Sequence, residues 1–117
     1  MTFHADVPQH AEMAARLAPI RAHFVSTLTD RRVRLAAFLT SAQNGAADQS
    51  ALAALQEDAH KIRGVALTLG FEALGKIASL VDEMLDRNDM PPATDPALQQ
   101  ELARFLEEIQ RTMDTRP

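Results

Sequence analysis

The chain has 117 residues, enough for one domain with one core, and 46% of them are hydrophobic. It contains no Cys, Trp or Tyr, so disulfide and thiol chemistry are excluded. A net charge of −4, from 12 basic and 16 acidic side chains, speaks against a nucleic-acid surface. No apolar run approaches the roughly 20 residues that a bilayer span needs. The segment Met1-Thr2-Phe3-His4-Ala5-Asp6 lacks the basic-then-apolar order of a secretion signal. A soluble cytoplasmic protein with no membrane contact is expected. Alternating apolar and polar strands are scarce, which favours an all-α fold.

Met1 to Val7 is expected to be a flexible lead-in, with residues 8–117 forming a single helical domain. Pro8 suits the first turn of a short additional N-terminal helix that carries Met13 and Leu17. Pro19 either ends that helix or begins the next. From there to about Gln43 the apolar set is Ile20, Phe24, Leu28, Leu35, Phe38 and Leu39, with Arg21, Asp30, Arg31, Arg32 and Arg34 largely outward. Asn44-Gly45 tolerates the left-handed conformation that closes helices. Asp48 or Ser50 can cap the following helix. In that helix Leu52, Leu55, Ala59, Ile62, Ala66 and Leu69 recur at steps of three and four and make one buried stripe. Gly70 marks its end or a close helix contact.

A third helix, from Phe71 to Asn88, turns Leu74, Ile77, Ala78, Val81 and Leu85 inward, and its small Gly75 and Ala78 admit a close neighbour. Asp89 to Thr94 contains Pro91-Pro92 and reads as a loop. Asp95-Pro96 is a cap followed by proline at the first helical position. The last helix, to about Met113, buries Leu98, Leu102, Phe105, Leu106, Ile109 and Met113. Four long helices with short connections predict an antiparallel four-helix bundle.

One residue does not fit the packing pattern. At about 100° per residue, His60 lies roughly 130° from the middle of its helix's stripe and so faces away from the core. Gln56, Arg63 and Gly64 sit one turn from it, and Leu67 two turns on, on the wrong side for that stripe. For an isolated histidine, or for Gly64 and Gly70, surface placement or packing would be the plain reading.

The stretch from Ala59 to Phe71 resembles the histidine-containing phosphotransfer (HPt) domain of two-component phosphorelays. The resemblance rests on His60, on Arg63 and Gly64 at the third and fourth positions after it, and on Gly70 at the tenth, with Ala59, Ile62, Ala66 and Leu69 between them. The close match runs from Leu55 to Leu85, and the flanking helices agree in pattern.

The resemblance implies that His60 is a phosphoacceptor. It takes a phosphoryl group from a receiver aspartate of a hybrid histidine kinase and passes it to a response regulator. An ordinary imidazole pKa near 6.5 leaves such a ring largely neutral in the cell. Arg63 becomes the cation near the phosphoryl group, with Lys61 a second positive charge. Gly64 removes a side chain that would crowd the partner, at a cost of about 1 kcal/mol to the helix. The family often supplies a polar side chain twenty-two residues after the histidine, here Asp82. Because related chains carry the longer Glu or Gln there, Asp82 is expected to reach the ring only through water; its plain alternative is a solvated acid. Ser79 is a further candidate beside the ring, and Gln56, Leu67, Thr68 and Phe71 are candidate docking residues.

No cofactor and no nucleic acid are implied. Any magnesium would belong to the receiver's acidic pocket, and the chain has no glycine-rich motif with which to use ATP itself. A free-standing monomer is expected. The alternative is a non-catalytic bundle that docks receiver domains or a signalling kinase. Glu57-x-x-His60 also matches the carboxylate–histidine spacing of di-iron bundles, but the two later helices hold no second histidine, so no metal is expected.

Overall fold

The computed structural model describes residues 3–86 and 88–115, with side chains from Ala11 onward; Met1 and Thr2 of the expected lead-in lie outside the described residues. Four α-helices make up the fold: α1 (Phe3–Gln43), α2 (Leu52–Ala66), α3 (Glu72–Met84) and α4 (Pro96–Asp114). A 3-10 turn, Gln49–Ala51, leads into α2. Each helix packs against two others, α1 on α2 and α4, and α3 on α2 and α4, which closes an antiparallel bundle.

The helix ends follow from local chemistry. Gly45 (φ 74°) closes α1: its N–H bonds the Ala42 carbonyl, and the Ala46 N–H bonds that of Ser41. The region after α2 ends in the same way at Gly70 (φ 88°), with Gly70 N–H on Leu67 O and Phe71 N–H on Ala66 O. Both are Schellman closures, in which a left-handed residue lets the last carbonyls be satisfied. A bulkier residue at either glycine would be strained. Neither cap candidate caps α2 itself, whose N-cap is Ala51 with no side-chain bond: Asp48 caps the 3-10 turn that precedes it, its carboxylate accepting from the Ser50 N–H at 2.9 Å, so the chain enters α2 already turning. Asp95 accepts from the Ala97 N–H at 3.0 Å and starts α4.

The expected short first helix is continuous with the second. α1 runs for 41 residues through both Pro8 and Pro19. Pro19 removes the hydrogen bond to the Ala15 carbonyl, but Ala15 is exposed and water can take that place. Its cost is therefore small enough for the helix to pass.

The core is one cluster fed by all four helices. Leu28, Leu35, Leu52, Ile62, Leu74, Val81, Leu85, Leu98, Leu102 and Ile109 are its fully buried large members. On α1 the buried set begins only at Phe24; none of the described side chains upstream of it is buried. Ile20, grouped with the core by its spacing, is 50% exposed, because the chain there has passed the end of the packed bundle.

Three of the α1 arginines expected to point outward instead tie the bundle together. Arg34 grips Asp58 of α2 through two bonds of 2.8 Å, Nε to Oδ2 and Nη2 to Oδ1. Arg31 stands 3.7 Å from the same carboxylate. Arg21 donates from Nε to the Leu69 carbonyl at 3.0 Å, a cation on the last turn after α2, where the helix dipole favours one.

Candidate functional site

α2 runs between α1 and α3, and the face it does not bury holds His60. The imidazole is 73% exposed. The stripe of Leu55, Ala59, Ile62 and Ala66, all buried, anchors the opposite side of the helix and fixes this orientation.

On the α3 side, the His60 Nδ1 stands 3.0 Å from Asp82 Oδ2. Arg63 Nη1 donates to the same oxygen, also at 3.0 Å. The contact is direct, which corrects the expectation of a bridging water. Asp82 is also no solvated acid, being 8% exposed. Close approach of α2 and α3 accounts for the reach. A Cβ built on Gly75 would lie 2.6 Å from the Leu67 side chain and 3.3 Å from its backbone nitrogen, so only glycine lets the helices meet there.

Burial pushes the Asp82 carboxyl up, but the hydrogen bonds from His60 and Arg63, reinforced by their charges, outweigh it and hold the carboxyl below the usual range. Near neutral pH Asp82 is therefore a carboxylate, able only to accept. It follows that Nδ1 is the nitrogen that donates to this carboxylate, which leaves Nε2 as the other nitrogen of an imidazole that is mostly exposed.

On the α1 side, His60, Lys61, Gly64 and Val65 of α2 line an open groove of about 550 Å³ with Ile20, His23, Phe24, Thr27 and Arg31 of α1. Nothing lies within 4 Å of a Cβ placed on Gly64, so space beside the ring is free. Lys61 pairs with Glu57 at 2.9 Å on the exposed surface.

The other sequence candidates fall in different places. Gln56 is half-buried and Thr68 exposed. Leu67 is about half exposed and rests over Gly75. Phe71 is half-buried and stacks on Phe24, ring centres 5.6 Å apart. Ser79 is not brought to the ring; its hydroxyl donates to the Gly75 carbonyl at 2.9 Å. Among the described residues no three His, Cys, Asp or Glu side chains gather as a metal site. Ile20, which its spacing had grouped with the core, and Val65 are exposed apolar residues at the groove that the sequence did not offer as docking residues. The available signal was the apolar excess outside each helix's own buried stripe.

The family model for the Hpt domain matches residues 19–112, most of the chain. The chain belongs to the Hpt domain family. Hpt domains serve phosphotransfer in two-component systems and interact with receiver domains. The matched span starts at Pro19, so residues of the Hpt chain before it, including the first turns of α1, lie outside the family match. No curated protein and no solved structure matches the chain. Among the described residues no helix is long and apolar enough to cross a membrane.

Proposed function

We propose that this Hpt protein relays a phosphoryl group through His60, from the receiver aspartate of a hybrid histidine kinase to that of a response regulator. The observation that carries the reading is the exposed imidazole whose Nδ1 is held by the buried Asp82 carboxylate, leaving Nε2 open beside the empty space at Gly64.

The chemistry follows from that geometry. Nε2 attacks the phosphorus of the receiver's aspartyl phosphate; the P–N bond forms as the P–O bond to the aspartate breaks, and the carboxylate leaves on the receiver. The ring becomes positive as Nε2 gives up its lone pair while Nδ1 keeps its hydrogen. Asp82 sits against that hydrogen and stabilises the cation. Return of the group to a second aspartate reverses the same steps.

Such transfer depends on placement and on neutralising the phosphoryl oxygens. Arg63 spends one N–H on Asp82, and the remaining donors of its guanidinium serve those oxygens. Lys61 adds positive charge at the groove. Gly64 leaves room for the partner's backbone, and Ile20 and Val65 with Gln56, Leu67 and Thr68 make its seat. The chain needs no cofactor and uses no ATP.

The test is incubation with purified receiver domains from the same genome, each phosphorylated by acetyl phosphate, comparing the wild type with His60→Gln. The wild type should take up phosphate from at least one receiver and the variant from none, with helicity unchanged by circular dichroism. A wild type that binds a receiver and accepts nothing would make the bundle a docking module.

A further inference from the structure

Asp82 Oδ2 accepts two bonds at once, from His60 Nδ1 and from Arg63 Nη1, each at 3.0 Å. The carboxylate is 8% exposed, whereas the imidazole it meets is 73% exposed. One edge of the ring therefore rests on a largely desolvated negative charge, and the other edge is in water. A charge on the ring is felt far more strongly across the first edge than across the second.

The other charged groups around the ring have partners of their own or stand in solvent. On α2, Lys61 pairs with Glu57 at 2.9 Å. α1 contributes His23 and Arg31 to the groove wall, and Arg31 lies 3.7 Å from Asp58. On the α3 side, Asp86 follows Asp82 by one turn and is exposed. Before transfer, Asp82 serves both Arg63 and the ring, and the arginine's charge opposes a positive charge on the imidazole. Once Nε2 carries a phosphoryl group, its oxygens take up the Arg63 charge. The carboxylate then faces a cationic ring, across the Nδ1 hydrogen.

We infer that Asp82 is a positioning residue for the outward half of the relay: it keeps the hydrogen on Nδ1 of phosphorylated His60, so that the ring departs as a neutral imidazole. The inference rests on the relay proposed above and goes beyond it by assigning what governs release. In that step a carboxylate oxygen of the receiving aspartate forms the P–O bond as the P–Nε2 bond breaks. The electron pair of the broken bond returns to Nε2, the ring loses its positive charge, and the Nδ1 hydrogen stays where it is. A phosphorylated ring that had lost this hydrogen would have to leave as imidazolate, a far poorer leaving group. Asparagine at the position still accepts a hydrogen bond but carries no charge. Without the charge, the hydrogen leaves as pH rises past about 6.5, where an ordinary imidazole loses it. With the charge in contact, its loss is delayed by about one pH unit or more.

The test uses the full chain as wild type, Asp82→Asn and Asp82→Glu, with circular dichroism to confirm that each folds. Each is loaded with phosphoramidate, a chemical donor that needs no receiver, then freed of it and mixed with an unphosphorylated receiver at saturation. His60→Gln, treated in the same way, sets the background. The outward rate is followed from about pH 5.5 to 8.5, and the ratio of variant to wild type cancels the receiver's own response to pH. Below about pH 6 both rings hold the hydrogen, and Asp82→Asn should donate at least as fast as wild type. Above about pH 6.5 it should fall behind, by up to about tenfold per pH unit, until the wild type begins to lose its own hydrogen. Asp82→Glu keeps the charge and should restore the wild-type profile. A ratio for Asp82→Asn that is constant across this range would overturn the inference and leave the relay standing, because a purely structural loss does not depend on pH in this way. A profile for Asp82→Glu that matches Asp82→Asn would overturn it also. A loaded wild type that passes phosphate to no receiver at any pH would remove the relay itself, and the role of Asp82 with it.

Discussion

Replacing Gly64 by alanine should make this protein more stable and less active. A Cβ at that position has no atom within 4 Å, so the substitution causes no clash in the free protein. Glycine inside a helix costs about 1 kcal/mol relative to alanine, chiefly because the unfolded chain loses more freedom. Gly64 lies inside α2, with Arg63 before it and Ala66 after it still helical. Gly64→Ala should therefore gain about 0.5–1 kcal/mol and raise the melting temperature by about 2–4 °C for a domain of this size. The same methyl group projects into the space one turn from His60, where the receiver must approach. Displacing the reacting atoms by about 1 Å can cost about 100-fold in rate. Thermal unfolding followed by circular dichroism and single-turnover transfer from a phosphorylated receiver measure the two effects separately. A more stable variant that transfers at the wild-type rate would refute the view that this space is kept open for a partner. A less stable variant would refute the reading of Gly64 as free of packing.

Other substitutions probe the supports of the site. Asp82→Asn keeps an acceptor near Nδ1 but loses the charge; transfer should fall about 10- to 100-fold, the worth of a charge-assisted hydrogen bond, in the same single-turnover assay. Its stability should also respond differently to acid. The Asp82 carboxyl lies below its ordinary value in the folded protein, so the unfolded chain binds the proton more readily. The stabilisation is present above about pH 4 and lost as pH falls through the lower folded value. Urea unfolding should thus show the variant weaker than wild type at pH 7 and the gap closing in acid. Gly75→Ala should destabilise by about 1–3 kcal/mol, since its Cβ would meet Leu67 at 2.6 Å; urea unfolding with no loss would contradict the close contact of α2 and α3. Asp58→Ala should cost about 1 kcal/mol by the same measurement, because it strands Arg34, whose side chain is half exposed and can rehydrate.

The parts of this structure that depend on one helix at a time were legible in the sequence. The stripe through Leu52, Leu55, Ala59, Ile62 and Ala66 named the buried face, and the angle of His60 from it placed the ring outside. Gly45, Gly70 and Asp95-Pro96 marked helix ends because their chemistry acts within a few residues. Features set by the distance between helices were not legible. Asp82 touches His60 directly because Gly75 brings α3 against α2, a separation that no periodicity encodes. Asp58 lies at the edge of the α2 stripe, where it meets Arg31 and Arg34 of α1; read alone, each helix shows only exposed charge. Pro19 was ambiguous for another reason. Whether a helix continues through proline depends on whether the orphaned carbonyl reaches water, and so on where the bundle ends.

The account turns on which atom of which residue receives phosphate. A chain with 15N-labelled histidine, phosphorylated by its receiver and examined by 15N and 31P NMR, reports this directly. The four histidines resolve separately, and His60→Gln assigns the one that responds. The prediction is a phosphorus-coupled Nε2 on His60, with Nδ1 still bearing its hydrogen toward Asp82. Phosphorus on Nδ1 of that ring, on another histidine, or on no histidine at all would contradict it.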